Sequence, residues 1–340
     1  MNLADLNKIA RAMVAPGKGL LAADESSGTI KKRFDAIGVT STEATRRDYR
    51  EMLFRSREAM SSALSGVILY DETIWQDAKD GTPLVRLIEE AGAIPGIKVD
   101  EGTQALPNCP GELITVGLDK LAERLPKYYE RGARFAKWRA VIDIGAGIPS
   151  MTAISVNAHA LARYAALCQQ AQIVPIVEPE VLMDGDHDID RCVEVTTRVL
   201  NKTFQELRVQ RVALEGMILK PNMAIAGKKS AKQASISEVA EKTVRMLKNC
   251  VPASVPGIAF LSGGQSDEQA TAHLDAMNKI GGLPWPLTFS YGRALQAAPQ
   301  KAWSGKAENV QAGQKAFTHR ARMNSLAASG KWTAEQEKAV

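Results

Sequence analysis

The stretch Ala213-Leu-Glu-Gly-Met-Ile-Leu-Lys220 is an apolar run that ends in a lysine, and it shows the pattern on which the whole chain is built. A short apolar run of this kind is typical of a buried strand. Pro221 follows directly, and a proline disfavours helical backbone in the residue before it, so no helix begins on Lys220. We interpret the run as a buried strand that ends in a charged amine.

Seven further runs of the same kind occur along the chain. They are Gly19–Asp24, Gly66–Asp71, Ile94–Lys98, Arg134–Arg139, Ile173–Glu178, Gly257–Ser262 and Leu287–Ser290. Amphipathic segments long enough for a helix separate most of them; one example is the segment from Ser235 to Val251. Strands that alternate with helices indicate a parallel sheet, and eight such units favour a closed (β/α)8 TIM barrel of the α/β class. A doubly wound open sheet is the alternative.

Helix starts and domain boundaries add detail to this prediction. Ser235 with Glu238, and Ser266 with Gln269, have the spacing of capping boxes at helix N-termini. No Ser/Gly-rich linker, low-complexity tract or fixed-period repeat divides the chain. We therefore expect residues 1–340 to form a single domain.

Composition restricts the class of protein. The 340 residues are 45% hydrophobic and 24% charged, as in soluble globular proteins. The 43 basic and 38 acidic residues are interleaved, which favours small anionic substrates over nucleic acid. The four cysteines stand far apart, and the N-terminus has no long apolar stretch, so we expect a cytoplasmic protein without a membrane partner. The four histidines do not have metal-site spacing, and no metal is expected.

Reactive or charged residues stand at the ends of the apolar runs. They are Asp24, Asp71 with Glu72, Lys98, Lys137 with Arg139, Glu178 with Glu180, Lys220, Ser262, and Ser290 with Arg293. The carboxyl ends of the strands of a parallel barrel open onto one face, so these groups are expected to meet in one pocket. Strand ends are also polar simply because they meet solvent, and this is the plainer reading of any one of them.

The mixture of amines, carboxylates and small residues has a chemical logic. A lysine can attack a ketone and form an iminium if its surroundings leave part of the amine uncharged, and this makes Lys220 the candidate nucleophile. Small residues after the last two strands could hold a phosphate with their backbone N–H groups. These are Ser262, Gly263 and Gly264, and then Ser290, Gly292 and Arg293. A second turn of this type, from Ser26 to Thr29, suggests a bisphosphate, although such residues are also ordinary in turns.

Seven motifs in order resemble the class I fructose-1,6-bisphosphate aldolases. They are Leu21-Ala-Ala-Asp-Glu-Ser26, Gly96-Ile-Lys-Val-Asp100, Phe135-Ala-Lys-Trp-Arg139, Ile176-Val-Glu-Pro-Glu180, Leu219-Lys-Pro-Asn-Met223, Phe260-Leu-Ser-Gly-Gly-Gln265 and Phe289-Ser-Tyr-Gly-Arg293. The match runs from about Lys8 to about Trp332 and is highly specific as a set. The resemblance implies a (β/α)8 barrel, no metal or other cofactor, and a phosphorylated sugar as the substrate.

The resemblance also implies catalytic roles. Lys220 would form the Schiff base with the substrate ketone, and Glu178 would act as the acid and base that makes and dehydrates the carbinolamine. Lys137 would lie beside Lys220, help to keep that amine reactive and hold the intermediates. Asp24 would assist removal of the proton from the C4 hydroxyl, and Glu180 is similar to the family's supporting acidic residue.

Substrate contacts carry over in the same way. Phosphate contacts at one end would come from Ser262, Gly263, Gly292 and Arg293, and at the other end from Ser26, Thr29 and Lys98. Ser290 belongs with the contacts at the first end, next to Gly292 and Arg293. Arg139 resembles a further substrate-contacting arginine near the second end. Cleavage of a bisphosphate gives two halves, and each half must keep its phosphate bound. The two sets of phosphate contacts therefore agree with the two phosphate-binding turns inferred from the small residues.

One feature departs from the family. Its well-known animal members end in a longer tail with a final tyrosine, which assists proton exchange on the enamine, whereas no tyrosine follows Tyr291 here. That step is left without an assigned residue. The resemblance also implies a homo-oligomer, commonly a tetramer. Two other hypotheses remain: a Schiff-base lyase or transferase on another phosphorylated sugar, and a non-catalytic scaffold.

Overall fold

The fold is a closed barrel of parallel strands, seen in a computed structural model that describes residues 1–338. Within these residues eight strands form the barrel in the order β1-β2-β3-β6-β7-β8-β9-β10, and β10 pairs with β1. Their bounds are β1 Gly19–Ala23, β2 Leu64–Leu69, β3 Ile94–Lys98, β6 Phe135–Ile142, β7 Val174–Val181, β8 Ile218–Leu219, β9 Ile258–Phe260 and β10 Leu287–Tyr291. This confirms the predicted (β/α)8 barrel and excludes the open sheet.

Helices alternate with the strands and cover the barrel. The larger ones are α1 Leu3–Met13, α2 Ser27–Asp35, α3 Glu43–Phe54, α7 Leu121–Glu130, α8 Met151–Gln170, α9 Ile189–Val209, α10 Ile236–Cys250, α11 Asp267–Ile280, α12 Arg293–Trp303 and α13 Val310–Ala328. Three short helices, α4 Arg57–Ser62, α5 Asp71–Trp75 and α6 Leu84–Glu90, complete the set in residues 1–338. No helix of that range has both the length and the apolar composition needed to cross a bilayer.

Capping agrees with the sequence in both predicted places. Ser266 caps α11 in a reciprocal box with Gln269, and the Ser235 side chain accepts a hydrogen bond from the Glu238 N–H at the start of α10. Only the first is a complete box, because the Ser235 N–H does not donate a return hydrogen bond to the Glu238 side chain. Each side-chain oxygen satisfies a helix N–H that has no partner inside the helix.

Several strand bounds differ from the predicted ones. The run that ends at Lys220 is a strand only over β8, because Leu214–Gly216 forms a turn of 3-10 helix held by hydrogen bonds from the Gln169 amide to the Ala213 and Gly216 carbonyls. In contrast, β6 and β7 extend three residues past their predicted ends and pair along their full lengths. Arg139 and Glu178 therefore lie inside strands and not at their ends.

A small antiparallel hairpin follows β3 and was not predicted. Its strands are β4 Thr103–Ala105 and β5 Leu113–Thr115, with Thr103 opposite Thr115. Both strands are only three residues long and mostly exposed or half-buried; β4 has no apolar run, and β5 has only the short pair Leu113-Ile114. The hairpin stands beside the carboxyl end of β3.

The opposite end of the barrel is closed by α1. Leu6, Ala10 and Met13 are fully buried and pack in one apolar cluster with residues near the amino ends of the strands, including Phe135. Asn7 fixes the position of the helix by donating a hydrogen bond of 2.8 Å to the Glu215 carbonyl. The carboxyl end of the barrel is therefore the open one.

Candidate active site

Lys220 lies at the centre of the open end, directly after β8. Its backbone N–H donates to the Val177 carbonyl on β7, which continues the sheet pairing and aims the side chain into the barrel. The residue is only 4% exposed, and its Nζ lies 3.2 Å from Glu178 Oε1. Among the described residues, Glu178 is thus the one carboxylate within 4 Å of this buried amine.

A second lysine, Lys137 on β6, lies among three carboxylates. Its Nζ is 2.8 Å from Asp24 Oδ2, 3.5 Å from Asp100 Oδ2 and 3.7 Å from Glu178 Oε2. All four side chains are buried or nearly so. Glu178 thus stands between the two lysines, with one oxygen toward each.

Burial and the neighbouring charges shift the pKa values of these groups in different directions. Burial would raise the pKa of Asp24, but Lys137 and Lys220 outweigh it and lower the pKa to about 2. For Glu178, burial prevails over the same two lysines and raises the pKa above its ordinary value. Burial opposes the charge of Lys137, yet Asp24, Asp100 and Glu178 raise its pKa well above the ordinary value. The pocket accordingly holds a fixed cation, a fixed anion and a carboxyl that can exchange a proton.

The polar groups open into one cavity of about 770 Å³. Of the residues predicted from the sequence, the cavity lining includes Asp24, Ser26, Thr29, Lys98, Lys137, Arg139, Glu178, Glu180, Lys220, Ser262, Gly263, Ser290 and Gly292. Groups that are far apart in the sequence therefore converge on one pocket.

Both phosphate-type turns line this cavity. Ser26 caps α2 and its hydroxyl lies 3.1 Å from that of Thr29, so a helix N-terminus with two hydroxyl groups faces the space. In the turn after β9, a Cβ on Gly263 would lie 3.1 Å from Glu180 Oε1, so a side chain there would crowd this carboxylate. The Ser290 hydroxyl is buried and has no hydrogen-bond partner within residues 1–338. It is free to bind a ligand oxygen.

Arg293 is the one predicted site residue outside the cavity lining. It begins α12, is exposed, and its guanidinium points along the surface toward the Gln265 carbonyl at 3.5 Å. The sequence shows that Arg293 directly follows Gly292, but it does not show in which direction this long, exposed side chain points.

Other charged groups in the pocket were given no role by sequence reasoning. Arg33 on α2 forms an ion pair with Glu25, and both line the cavity. Asp100 follows β3 and contacts both Lys98 and Lys137. It is the last residue of the motif Gly96–Asp100, so its only signal was a carboxylate two positions beyond a strand end.

The arrangement defines a class of protein: a (β/α)8 enzyme whose pocket is organised around a buried lysine. Within residues 1–338, no group of three or more His, Cys, Asp or Glu side chains is placed to hold a metal ion. The reactive groups in the pocket are amines, carboxylates and hydroxyls.

Comparison with known proteins gives the family. The family model described as fructose-bisphosphate aldolase class-I matches residues 5–340. A probable fructose-bisphosphate aldolase class 1 of Xanthomonas campestris pv. campestris is 57% identical over 98% of this chain and 99% of its own. Fructose-bisphosphate aldolase 6, cytosolic, of Arabidopsis thaliana is 54% identical over 93% of this chain and 88% of its own. The chain belongs to the class-I fructose-bisphosphate aldolase family.

A solved structure agrees with this assignment. The fructose-bisphosphate aldolase of Plasmodium falciparum, solved in complex with TRAP and a small-molecule inhibitor, superposes with a TM-score of 0.95. It is 47% identical in sequence, and the match covers 98% of this chain and 96% of the other. The predicted family and fold are both confirmed.

Proposed function

We propose that this protein cleaves fructose 1,6-bisphosphate reversibly into dihydroxyacetone phosphate and glyceraldehyde 3-phosphate, with Lys220 as the Schiff-base residue. The observation that supports this most is the buried Lys220 amine, 3.2 Å from Glu178 Oε1, in a cavity that two polar turns also line. A buried amine beside a proton-exchanging carboxyl is what iminium formation requires.

The first step joins enzyme and substrate. The nitrogen lone pair of Lys220 attacks the C2 carbonyl, and one proton of that nitrogen passes to the carbonyl oxygen, which gives a carbinolamine. Glu178, whose pKa is raised by burial, donates a second proton to the leaving hydroxyl, so that water departs and an iminium remains. The opposite proton transfers occur at Glu178 when water later releases the product.

The second step breaks the bond between C3 and C4. Asp24, ionised and 2.8 Å from Lys137, removes the proton of the C4 hydroxyl. The electrons of the C3–C4 bond pass into the iminium, which becomes an enamine, and glyceraldehyde 3-phosphate leaves. Lys137 stays charged and stabilises the oxygen on which negative charge develops. A proton then returns to C3, and hydrolysis releases dihydroxyacetone phosphate.

Substrate is held at its two ends. Ser262, Gly263, Ser290 and Gly292 would bind one phosphate, and Ser26, Thr29 and Lys98 the other, with Arg139 alongside. Glu180 forms an ion pair with Arg139 and so orients that guanidinium at the wall of the cavity. Arg293 would have to turn from the Gln265 carbonyl toward the cavity to take part.

Borohydride trapping tests the proposal. Reduction of the protein in the presence of dihydroxyacetone phosphate is expected to attach the substrate irreversibly, with the mass increase on the peptide that contains Lys220, and to abolish cleavage. Cleavage is expected to continue in EDTA. The Lys220→Met variant should show no adduct, whereas Lys248→Met, an exposed lysine on α10, should react like the natural protein.

Two outcomes would contradict the proposal. An adduct on another lysine would remove Lys220 from its role, and absence of any adduct together with loss of activity in EDTA would replace the Schiff-base mechanism. Cleavage of a monophosphate in preference to the bisphosphate would instead favour a different phosphorylated sugar as the substrate.

We also propose that residues 1–340 form one domain, that the protein works in the cytoplasm and that it assembles as a homotetramer. A cytosolic relative of Arabidopsis thaliana and membership of the family support these points. Light scattering coupled to size exclusion would measure the mass, for which a value other than four chains refutes the tetramer. A single cooperative unfolding transition is expected of one domain.

A further inference from the structure

Two cations that face the substrate are placed side by side on neighbouring strands. Lys98 on β3 and Lys137 on β6 are register partners, and both line the cavity. Like charges on adjacent positions repel each other, and more so where burial lowers the effective dielectric constant. Something must compensate for this repulsion if both amines are to remain charged and fixed.

Asp100 lies between these two amines. Its Oδ1 is 2.8 Å from Lys98 Nζ, and its Oδ2 is 3.5 Å from Lys137 Nζ. The backbone N–H groups of Gly102 and Arg139 donate to the same two oxygens, each at 3.3 Å, so the carboxylate has a fixed orientation. The side chain is only 5% exposed. Each oxygen of the Asp100 carboxylate therefore lies near a different lysine amine.

We infer that Asp100 is a positioning residue for the cleavage step, because its one negative charge interacts with both Lys98 and Lys137. It thereby limits how strongly Lys137 binds Asp24 and how strongly Lys98 binds a substrate phosphate. The inference rests on the proposed aldol cleavage.

Lys137 has a direct effect on Asp24. Without the Asp100 charge, Lys137 would interact more exclusively with Asp24, already 2.8 Å away, and would make that carboxylate a weaker base. Removal of the proton from the C4 hydroxyl would then be slower.

Lys98 responds in the opposite direction. In the free enzyme Asp100 neutralises much of its charge, in addition to accepting its hydrogen bond through the backbone carbonyl at 2.7 Å. A substrate phosphate competes with that carboxylate for the amine. Loss of the Asp100 charge would make Lys98 a stronger anion ligand, so binding improves while catalysis weakens.

Steady-state kinetics of Asp100→Asn test this division. The amide has nearly the shape of the carboxylate and no charge. We expect kcat for fructose 1,6-bisphosphate to fall by about 10- to 100-fold, because Asp24 is weakened and not removed, and a general base contributes about 10²- to 10⁴-fold in all. We expect KM to stay equal or to fall, and inorganic phosphate to inhibit at least as strongly as before. Borohydride trapping of dihydroxyacetone phosphate on Lys220 should persist, because iminium formation does not require Asp24.

Controls separate this inference from the proposed function. If the natural protein does not cleave the bisphosphate, the proposed function fails whatever Asp100 does. Asp119→Asn, an exposed carboxylate without an ion pair in residues 1–338, should keep natural kinetics. If Asp100→Asn does not fold, as judged by circular dichroism, Asp100→Ser replaces it and should give the same pattern.

Three results would overturn the inference with an active natural enzyme. Unchanged kcat in the variant would show that Asp100 does not act on Asp24 through Lys137. A raised KM with unchanged kcat would make Asp100 a contributor to binding, and a loss of borohydride trapping equal to the loss of kcat would place it in iminium formation instead.

Discussion

The two ends of the barrel are made by the same eight strands but are filled by opposite kinds of side chain. At the amino end, Leu6, Met13 and Phe135 belong to an apolar cluster without a charged member. At the carboxyl end, Asp24, Lys137, Glu178 and Lys220 are packed within a few ångströms of one another. The first arrangement stabilises the fold by burying apolar surface, and the second places charges in a low-dielectric pocket where they act strongly.

This difference shows how one fold separates stability from chemistry. In barrels of this type the carboxyl end carries the reactive groups, and residues of the amino end contribute to stability. A substitution at one end should therefore change mainly activity, and a substitution at the other mainly the free energy of unfolding. The following predictions test that separation, beginning with the largest effect.

Lys220→Met should have the largest effect, and it should be on activity. Loss of the covalent nucleophile is expected to lower kcat for fructose 1,6-bisphosphate by about 10⁴-fold or more, which corresponds to roughly 5 kcal/mol of transition-state stabilisation. Glu178 keeps Lys137 as a second cation at 3.7 Å, so the free energy of unfolding should fall by no more than about 3 kcal/mol, the upper end for ordinary single substitutions. Kinetics and urea unfolding measure the two quantities. A larger loss of stability than of activity would contradict the separation.

Phe135→Ala should give the reverse result at the amino end. The ring is fully buried, and it packs so closely on β3 that a Cβ on Gly96 would lie 2.2 Å from it. Its removal leaves a cavity and should cost about 3–5 kcal/mol of unfolding free energy in urea, while kcat of the folded enzyme changes little. Ile280→Ala, a half-exposed residue at the end of α11, should cost only about 0.5 kcal/mol. Equal losses in the two variants would show that the cluster is not a stabilising core.

Acid should weaken the carboxyl end through Asp24. Its pKa in the folded protein is about 2, below the ordinary value of 3.8, so ionised Asp24 stabilises the fold above pH 3.8. This contribution, about 2 kcal/mol, is lost as the pH falls toward 2. Unfolding free energies measured across that range should therefore fall less steeply in Asp24→Asn than in the natural protein. Asp119→Asn is the matched control, and an Asp24→Asn slope equal to that of the control would refute the assignment.

The sequence was sufficient to predict the barrel because the pattern of an apolar run and an amphipathic segment occurs eight times. Apolar runs of strand length, each followed by an amphipathic segment, leave few other architectures, and the individual errors at β6, β7 and β8 did not change the topology. The hairpin of β4 and β5 was missed because each strand has only three residues, β4 has no apolar run, and the pairing depends on contacts across a turn with two prolines, Pro107 and Pro110. A short, mostly exposed hairpin of this kind leaves little hydrophobic periodicity in the sequence.

The site was predictable only as far as the backbone determines where a side chain points. Lys137, Glu178 and Lys220 are on or directly after strands, so barrel geometry alone brings them together. Asp100 lies two residues past β3, where its direction is determined by hydrogen bonds from Gly102 and Arg139 that no sequence pattern shows. The Arg293 side chain lies outside the cavity lining, and the sequence does not show this because a long side chain at an exposed helix start has several directions open to it.

Closure of the barrel also sets an order of events during synthesis. Leu20 on β1 pairs with Ser290 on β10, and the Thr288 hydroxyl donates to the Lys18 carbonyl across 270 positions of sequence. At about 5–20 residues per second, a ribosome needs roughly 15–50 seconds to travel from one partner to the other. During that time β1 has a free edge, since β2 is the only neighbour that has yet been made. The earliest strand of the nascent chain is therefore among the last to be fully paired, and Asp24, which follows it, reaches its final surroundings only after nearly the whole protein has been translated.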